Sequence, residues 1–213
     1  KYDDVMNKQR EKIYTSRNMV LDGDDLKDKI IRMIDDTIES YCSIYLSDPI
    51  HDNWDLNSLR EYFLGWVTEA DDLRFSVTEL ENTEMADVAE MLKAKAHDKY
   101  EERENEFGSE IMREIERVML LRSVDTNWMD HIDNMDQLRQ GIGLRAYGQH
   151  DPVVEYRNDS FDMFEAMTNT IREQTSKLVL TVIPKSNQEV KREKVAEETQ
   201  AGDKPITVKG KGV

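Results

Sequence analysis

The sequence predicts an all-α protein, and three features of its 213 residues support that prediction. Proline and glycine, which interrupt helices, occur only 4 and 9 times. Residues that favour helices, such as glutamate, lysine, methionine and leucine, are abundant between them. Apolar residues recur three and four positions apart over long stretches, as they do on one face of a helix. Together these features predict a long antiparallel helical hairpin, preceded by one long helix and a group of shorter helices.

The first predicted helix carries a stripe at helical spacing, formed by Tyr2, Val5, Gln9, Ile13, Arg17 and Val20. Residues 21–25 contain Gly23 and interrupt the stripe, and Asp24 is a candidate N-cap for a second helix. That helix ends before Pro49, because the residue preceding a proline is forced out of the α region. Asp55 then caps a short third helix. Residues 73–80 fit either a turn or a helix, and a further helix runs from Thr83 to about Asn105.

The hairpin is the clearest element of the sequence. Ten apolar positions between 111 and 142 step by three or four, which predicts one helix of about 48 Å. Glycines at 141, 143 and 148 predict a loop, and Asp151-Pro152 is a typical helix start. The next stripe consists of Val153, Tyr156, Phe161, Phe164, Met167, Ile171, Leu178 and Val182. A loop of about eight residues between the two helices makes them antiparallel neighbours. Residues 184–213 are rich in charge and poor in apolar side chains, so we expect a flexible tail.

Charge and cysteine content exclude several classes of protein. The net charge of −16 argues against binding to a nucleic acid backbone. The sequence has no run of 18 or more apolar residues, so it predicts no transmembrane helix, and the polar first ten residues are no signal peptide. A single cysteine, Cys42, rules out an internal disulfide framework and a cysteine-based zinc site, which favours a reduced, cytosolic setting.

No catalytic constellation emerges from the residues. Asp130, His131, Asp133 and Asp136 offer metal ligands, but helical spacing distributes them over different faces. We therefore predict that His131 packs beside Trp128 in the core and binds no metal. Cys42 lies on an apolar stripe among acidic residues, so it is predicted to be a small hydrophobe and not a nucleophile. The sequence contains neither a phosphate-binding loop nor a nucleophile elbow, which predicts a non-catalytic helical scaffold with no metal and no cofactor.

The tip of the predicted hairpin is chemically distinct. Its loop consists of Leu144, Arg145, Ala146, Tyr147, Gly148, Gln149 and His150. Two interpretations stay open: the tyrosine folds back onto its own hairpin, or the loop projects as a contact element on a rigid support.

Two stretches resemble one known family. Residues 2–10 (YDDVMNKQR) resemble the scaffold-helix motif of the SecA family, the ATPase motors of bacterial protein export. Residues 128–152, with the phrases MDQLRQGI and LRAYGQ followed by Asp151-Pro152, are similar to the two-helix finger of that family. The resemblance implies four segments. They are a first scaffold part at 1–20, a helical wing at 21–105, scaffold with finger at 106–183, and a C-terminal linker at 184–213.

The resemblance also implies a fragment of a longer motor. The family's nucleotide-binding and preprotein-crosslinking domains, which use ATP and Mg²⁺, precede the matching region. The cysteine-rich zinc-binding tail that often ends the family is absent, since no cysteine follows Cys42. By itself this chain is therefore expected not to hydrolyse ATP. Implied partners are those two domains, the SecYEG channel, unfolded preprotein and a second copy, at the cytoplasmic face of the bacterial membrane.

Individual residues acquire roles by matching the family's motifs. Those implied to lie along the motor domains are Tyr2, Asp3, Asp4, Asn7, Gln9 and Arg10. Those implied to contact polypeptide and channel at the fingertip are Leu144, Arg145, Ala146, Tyr147, Gly148 and Gln149. Trp128, Leu138 and Arg145 match the hairpin that restrains ATP hydrolysis. The alternative from the residues alone is a stand-alone helical adaptor that binds a partner through the hairpin stripe.

Overall fold

The computed structural model describes residues 2–21, 26–145 and 151–184, with side chains throughout except at 143–145. Helices make up most of these residues, which confirms the all-α class. In chain order they are α1 (Tyr2–Leu21), α2 (Lys27–Tyr45), a 3₁₀ turn (His51–Asn53), α3 (Leu56–Phe63), α4 (Val77–Glu81), α5 (Met85–Phe107), α6 (Ser109–Arg145) and α7 (Pro152–Thr181). All of them belong to one compact unit, Lys1–Val182. The predicted tail lies outside the described residues from 185 onward.

The observed helix starts can be compared with the N-caps that the sequence predicts. Asp55 and Asp151 cap α3 and α7 as predicted, since their carboxylates accept hydrogen bonds from the backbone N–H of Ser58 (3.0 Å) and Val153 (2.9 Å). Each such cap contributes about 1 kcal/mol. Residues 73–80, which fitted either a turn or a helix, contain the start of α4, where Ser76 and Glu79 form a reciprocal capping box.

Two predicted helix starts were displaced by two residues. The helix α5 begins at Met85 and not at Thr83, because Glu84 and Asp87 form a capping box there. The N-cap of α2 is Leu26 and not Asp24, which lies outside the described residues. Leu26 caps without a side-chain hydrogen bond and is buried in the core.

The core forms where α2 packs against α5 and α7. The buried face of α2 is the expected stripe of Ile30, Ile34, Ile38 and Cys42. Burying each isoleucine contributes about 1.5–3 kcal/mol. Phe63, the last residue of α3, and Trp66 in the turn that follows are also fully buried in this cluster.

The two longest helices, α6 and α7, form the antiparallel hairpin, and α1 packs against both. Contacts along α1 determine its direction. Asp3 approaches Arg139 near the tip of the hairpin, whereas Arg17 bonds to Asp125 lower on α6. Residues later in α1 therefore contact residues earlier in α6, so α1 runs antiparallel to α6. Since α6 and α7 are antiparallel, α1 runs parallel to α7. Each of the three helices therefore packs against the other two.

The buried face of the hairpin departs from the predicted stripe at three positions. Ile111, Val118 and Phe161 are 48%, 44% and 67% exposed. Their neighbours Met112 and Met119 are buried instead. The lower part of α6 packs against both α5 and α7, so its buried face is turned by one residue from the stripe that apolar spacing predicts. Within the described ranges, no helix combines the length and apolar character that crossing a membrane requires.

Candidate functional site

The candidate site is the group of three helices α1, α6 and α7, and a buried polar contact joins all three. Gln9 on α1 is 7% exposed. Its Nε2 donates to the carbonyl oxygen of Ser160 on α7 at 2.9 Å. Its Oε1 lies 2.9 Å from Nε2 of His131 on α6. One glutamine side chain therefore bridges both helices of the hairpin.

This geometry fixes the protonation of His131. A carbonyl oxygen only accepts, so the amide NH₂ of Gln9 faces Ser160 and its oxygen faces the histidine. Nε2 of His131 must then carry the proton and donate it. Burial lowers the pKa of His131, because the charged imidazolium loses its hydration. The prediction of a packed core histidine is confirmed by its 3% exposure.

Trp128 and Leu138, two residues matched to the regulatory hairpin, lie in the protein's own packing. Trp128 is 6% exposed, and its ring lies 5.6 Å from that of His131, which confirms it as a core residue of a helix contact. Leu138 is half-buried and packs against a small second cluster near the tip, which includes Tyr156. A direct contact of Trp128 with another domain would require α6 to change its packing.

The six predicted scaffold residues divide into two groups. Tyr2 packs edge-on against Tyr156 with ring centroids 4.6 Å apart, and Asp3 lies 3.3 Å from Arg139. With Gln9, these residues hold α1 to the hairpin. The other group is exposed on α1 and consists of Asp4, Asn7 and Arg10.

The fingertip prediction falls mostly outside the described residues. The backbones of Leu144 and Arg145 form the last turn of α6, and their side chains are not described. Ala146, Tyr147, Gly148 and Gln149 lie outside the described ranges. The roles predicted for these residues remain predictions.

A buried ionic network that the apolar pattern did not predict joins α5 to α6. Glu116 is fully buried and pairs with Arg113 at 3.0 Å. Arg113 also pairs with Glu104 at 2.9 Å, and Glu104 accepts a hydrogen bond from Lys27 at 2.6 Å. The hydroxyl of Tyr100 donates to Glu116. The Lys27 contact lowers the pKa of Glu104, whereas burial raises the pKa of Tyr100.

A second cluster ties α2 and α3 to the lower part of α7. The hydroxyls of Tyr41 and Tyr62 both donate to Oε2 of Glu173, at 3.1 and 3.3 Å. Burial raises the pKa of both phenols, so they remain donors at neutral pH. Nearby, Arg103 donates to the carbonyl oxygens of Val179 (3.0 Å) and Val182, at the C-terminal end of α7. This pairing complements the negative end of the helix dipole.

The four possible metal ligands on α6 do not converge. His131 is buried against Gln9, whereas Asp130, Asp133 and Asp136 are exposed. In the part of the chain that the structure describes, no three histidine, cysteine or carboxylate side chains are grouped for a metal ion.

Comparison with known proteins agrees with this geometry. Residues 1–183 match the family model described as the SecA Wing and Scaffold domain. The chain is 44% identical over 219 aligned residues to the protein translocase subunit SecA of Finegoldia magna. It is 42% identical over 216 residues to the subunit of the same name from Acetivibrio thermocellus.

These alignments cover 100% and 99% of this chain but only 23% and 24% of the two relatives. The chain thus spans about a quarter of the length of the curated relatives it matches. The family match extends over α1 to α7, so it includes both the hairpin and the helix that braces it. The chain belongs to the SecA wing and scaffold domain family.

Proposed function

We propose that this chain is the part of a protein-export motor that couples ATP hydrolysis to movement of a polypeptide. In this proposal the α6–α7 hairpin is a two-helix finger whose tip, residues 144–149, contacts the translocating chain at the SecYEG channel. The same hairpin restrains ATP hydrolysis when no preprotein is bound. ATP and Mg²⁺ are bound by parts of the longer relatives outside the matched region, and the chain itself does not hydrolyse ATP.

The observation that supports this proposal is the attachment of α1 along the upper hairpin. Gln9 bonds to both hairpin helices, and Tyr2 packs against Tyr156 closer to the tip. A displacement of α1 is therefore passed to α6 and α7 together. The exposed side of α1, which includes Asn7 and Arg10, is the surface proposed to contact the nucleotide-binding and preprotein-crosslinking domains.

The proposed location and chemistry follow from the same role. The chain works at the cytoplasmic face of the bacterial membrane as a peripheral component, together with unfolded preprotein and, in some states, a second copy of itself. Tyrosine at the fingertip suits such a substrate, because its rigid amphipathic ring contacts many sequences without recognising one.

The test is to add this chain to the nucleotide-binding region of the Finegoldia magna relative and to measure ATP hydrolysis. We expect saturable suppression of the rate, weakened by Trp128→Ala and, more mildly, by Leu138→Ala. Tyr147→Ala should keep the suppression but reduce crosslinking of the tip to a stalled preprotein.

The matched control is Trp54→Ala, because Trp54 is similarly buried but lies outside the hairpin, between the 3₁₀ turn and α3. Both tryptophan variants should lose about 3–5 kcal/mol of stability. If Trp128→Ala and Trp54→Ala lost suppression equally, general destabilisation would explain the loss, and the result would count against a specific role of Trp128. Suppression that stays unchanged in both Trp128→Ala and Leu138→Ala would refute the regulatory role of the hairpin.

A further inference from the structure

A groove lies between α1 and the beginning of α7, apart from the fingertip. Its cavity volume is about 590 Å³. Its apolar lining consists of Val5, Val153, Val154, Phe161 and Phe164. The remaining lining side chains are polar or charged residues of α1 and of the first turns of α7.

The groove leaves apolar surface open to water. Phe161 is 67% exposed and Val154 is 48% exposed, although both lie on the helix that carries the buried Tyr156 and Ser160. Both side chains therefore contribute little to the core. Contiguous apolar surface of this kind, rimmed by polar residues, typically marks an interaction site.

The groove lining carries a small excess of positive charge, whereas the chain as a whole is acidic. Lys8, Lys12 and Arg157 line it, although the net charge of the protein is −16. Lys12 lies over the ring of Phe164, with Nζ 5.9 Å from the centroid. Within the described ranges, none of these three cations has a carboxylate within 4 Å. Two carboxylates also line the groove, those of Asp4 and Asp151, and Asp151 caps α7 through the N–H of Val153.

The spacing of the walls fits a helix. Lys8 and Lys12 stand one turn apart on α1. Val153, Arg157 and Phe161 stand at successive turns of α7. The α7 wall from Val153 to Phe164 rises about 16 Å, or about three turns. Parallel ridges of this length accommodate the apolar face of one amphipathic helix.

We infer that this groove binds an amphipathic helix of another polypeptide, with an apolar ridge flanked by carboxylates. The ridge packs against Phe161, Phe164 and Val154, and the carboxylates pair with Lys8, Lys12 and Arg157. Charge complementarity selects an acidic partner and disfavours a basic one. This site is independent of the proposed fingertip contact and does not rest on it.

The experiment uses the intact 213-residue chain and two labelled 16-residue helical peptides. Both have leucines at i, i+3, i+4, i+7 and i+11, flanked in one peptide by glutamates and in the other by lysines. Fluorescence anisotropy should show the acidic peptide binding at least about tenfold more tightly. Phe161→Ala and Arg157→Glu should each weaken that binding by about tenfold or more.

Two surface variants serve as matched controls, because they alter the same residue properties outside the groove. Ile44→Ala removes an apolar side chain that is 61% exposed on α2, and Lys177→Glu reverses an exposed cation at the far end of α7. Neither should change the affinity, and circular dichroism should show all four variants folded.

Equal affinity for the two peptides, or an affinity that Phe161→Ala leaves unchanged, would overturn the inference. Binding to vesicles of anionic lipid in preference to the acidic peptide would also overturn it. The ATPase assay above is unaffected by either result.

Discussion

Gln9 accepts a hydrogen bond from His131 while donating one to Ser160, so a single side chain of α1 holds both helices of the hairpin. The contact is buried, and each donor in it faces an acceptor directly. It also requires a proton on Nε2 of His131, and burial lowers the pKa of that imidazole, which favours the neutral form.

The first prediction concerns pH. Burial lowers the pKa of His131 below its ordinary value of 6.5, so the unfolded chain binds a proton at a higher pH than the folded chain does. The stabilising contribution is thus complete above the unfolded pKa and decreases as pH falls through 6.5 towards the folded pKa. In His131→Gln, which keeps a donor for Gln9, this part of the pH dependence should disappear. Urea unfolding of both proteins from pH 8 to pH 5 measures the difference, and parallel curves would contradict it.

The second prediction compares two glutamates on α6. Glu116 is fully buried and paired with Arg113, whereas Glu114 is exposed and paired with Arg117 at 2.6 Å. Removing one member of a buried pair leaves the other charge without its full compensation, which costs about 3–5 kcal/mol. An exposed pair contributes about 0–1 kcal/mol. Glu116→Ala should therefore lower the free energy of unfolding far more than Glu114→Ala, as chemical denaturation will test. Equal effects would show that the network is energetically unimportant.

The third prediction uses two glycines that should respond in opposite directions. Gly108, between α5 and α6, has φ +85° and ψ 151°, a region that side chains rarely adopt. Gly108→Ala should cost about 1–3 kcal/mol, although a Cβ there would meet no atom within 4 Å. Gly141 lies within α6 with equally open space, so Gly141→Ala should add about 0.5–1 kcal/mol. Thermal unfolding of both variants tests the pair, and a shift of the same sign in both would contradict the backbone argument.

The fourth prediction is that the thiol of Cys42 is unreactive in the folded protein. Cys42 is 1% exposed, and burial raises its pKa to about 11. Iodoacetamide at pH 8 should therefore modify it only as fast as the protein opens. Mass spectrometry should show slow labelling in buffer and rapid labelling in urea. Rapid labelling of the native chain would place Cys42 in a mobile part of the core.

The features that the sequence predicted well are those governed by local chemistry. Asp55 and Asp151 cap their helices as their positions indicated, and Cys42 and Trp128 are buried as their stripes required. Glu116 could not have been identified in this way, because a buried carboxylate depends on Arg113 and on Tyr100, which lies on another helix. Hydropathy carries no information about such pairing.

The candidate site shows the same division. Spacing alone placed Phe161 on the buried stripe of α7, but the structure exposes Phe161 and buries its polar neighbour Ser160 instead. Small polar residues that bury their hydroxyls against the helix backbone look like surface positions in a sequence. Ser160, for example, donates to the carbonyl oxygen of Tyr156, one turn earlier.

The carboxylate of Glu173, which binds the hydroxyls of both Tyr41 and Tyr62, attaches one end of the hairpin to α2 and α3. The distance from Glu173 to the start of α7 is therefore the length over which a rotation of the hairpin is amplified. Glu173 and Asp151 are separated by 173 − 151 = 22 residues, or about 33 Å of α-helix. A rotation of about 5° around Glu173 would displace the start of α7 by about 3 Å, close to the length of a hydrogen bond. At Ser160, which is about 20 Å of helix from Glu173, the same rotation gives about 1.7 Å, which would stretch the bond between Gln9 and Ser160 beyond hydrogen-bonding distance unless α1 moved with the hairpin.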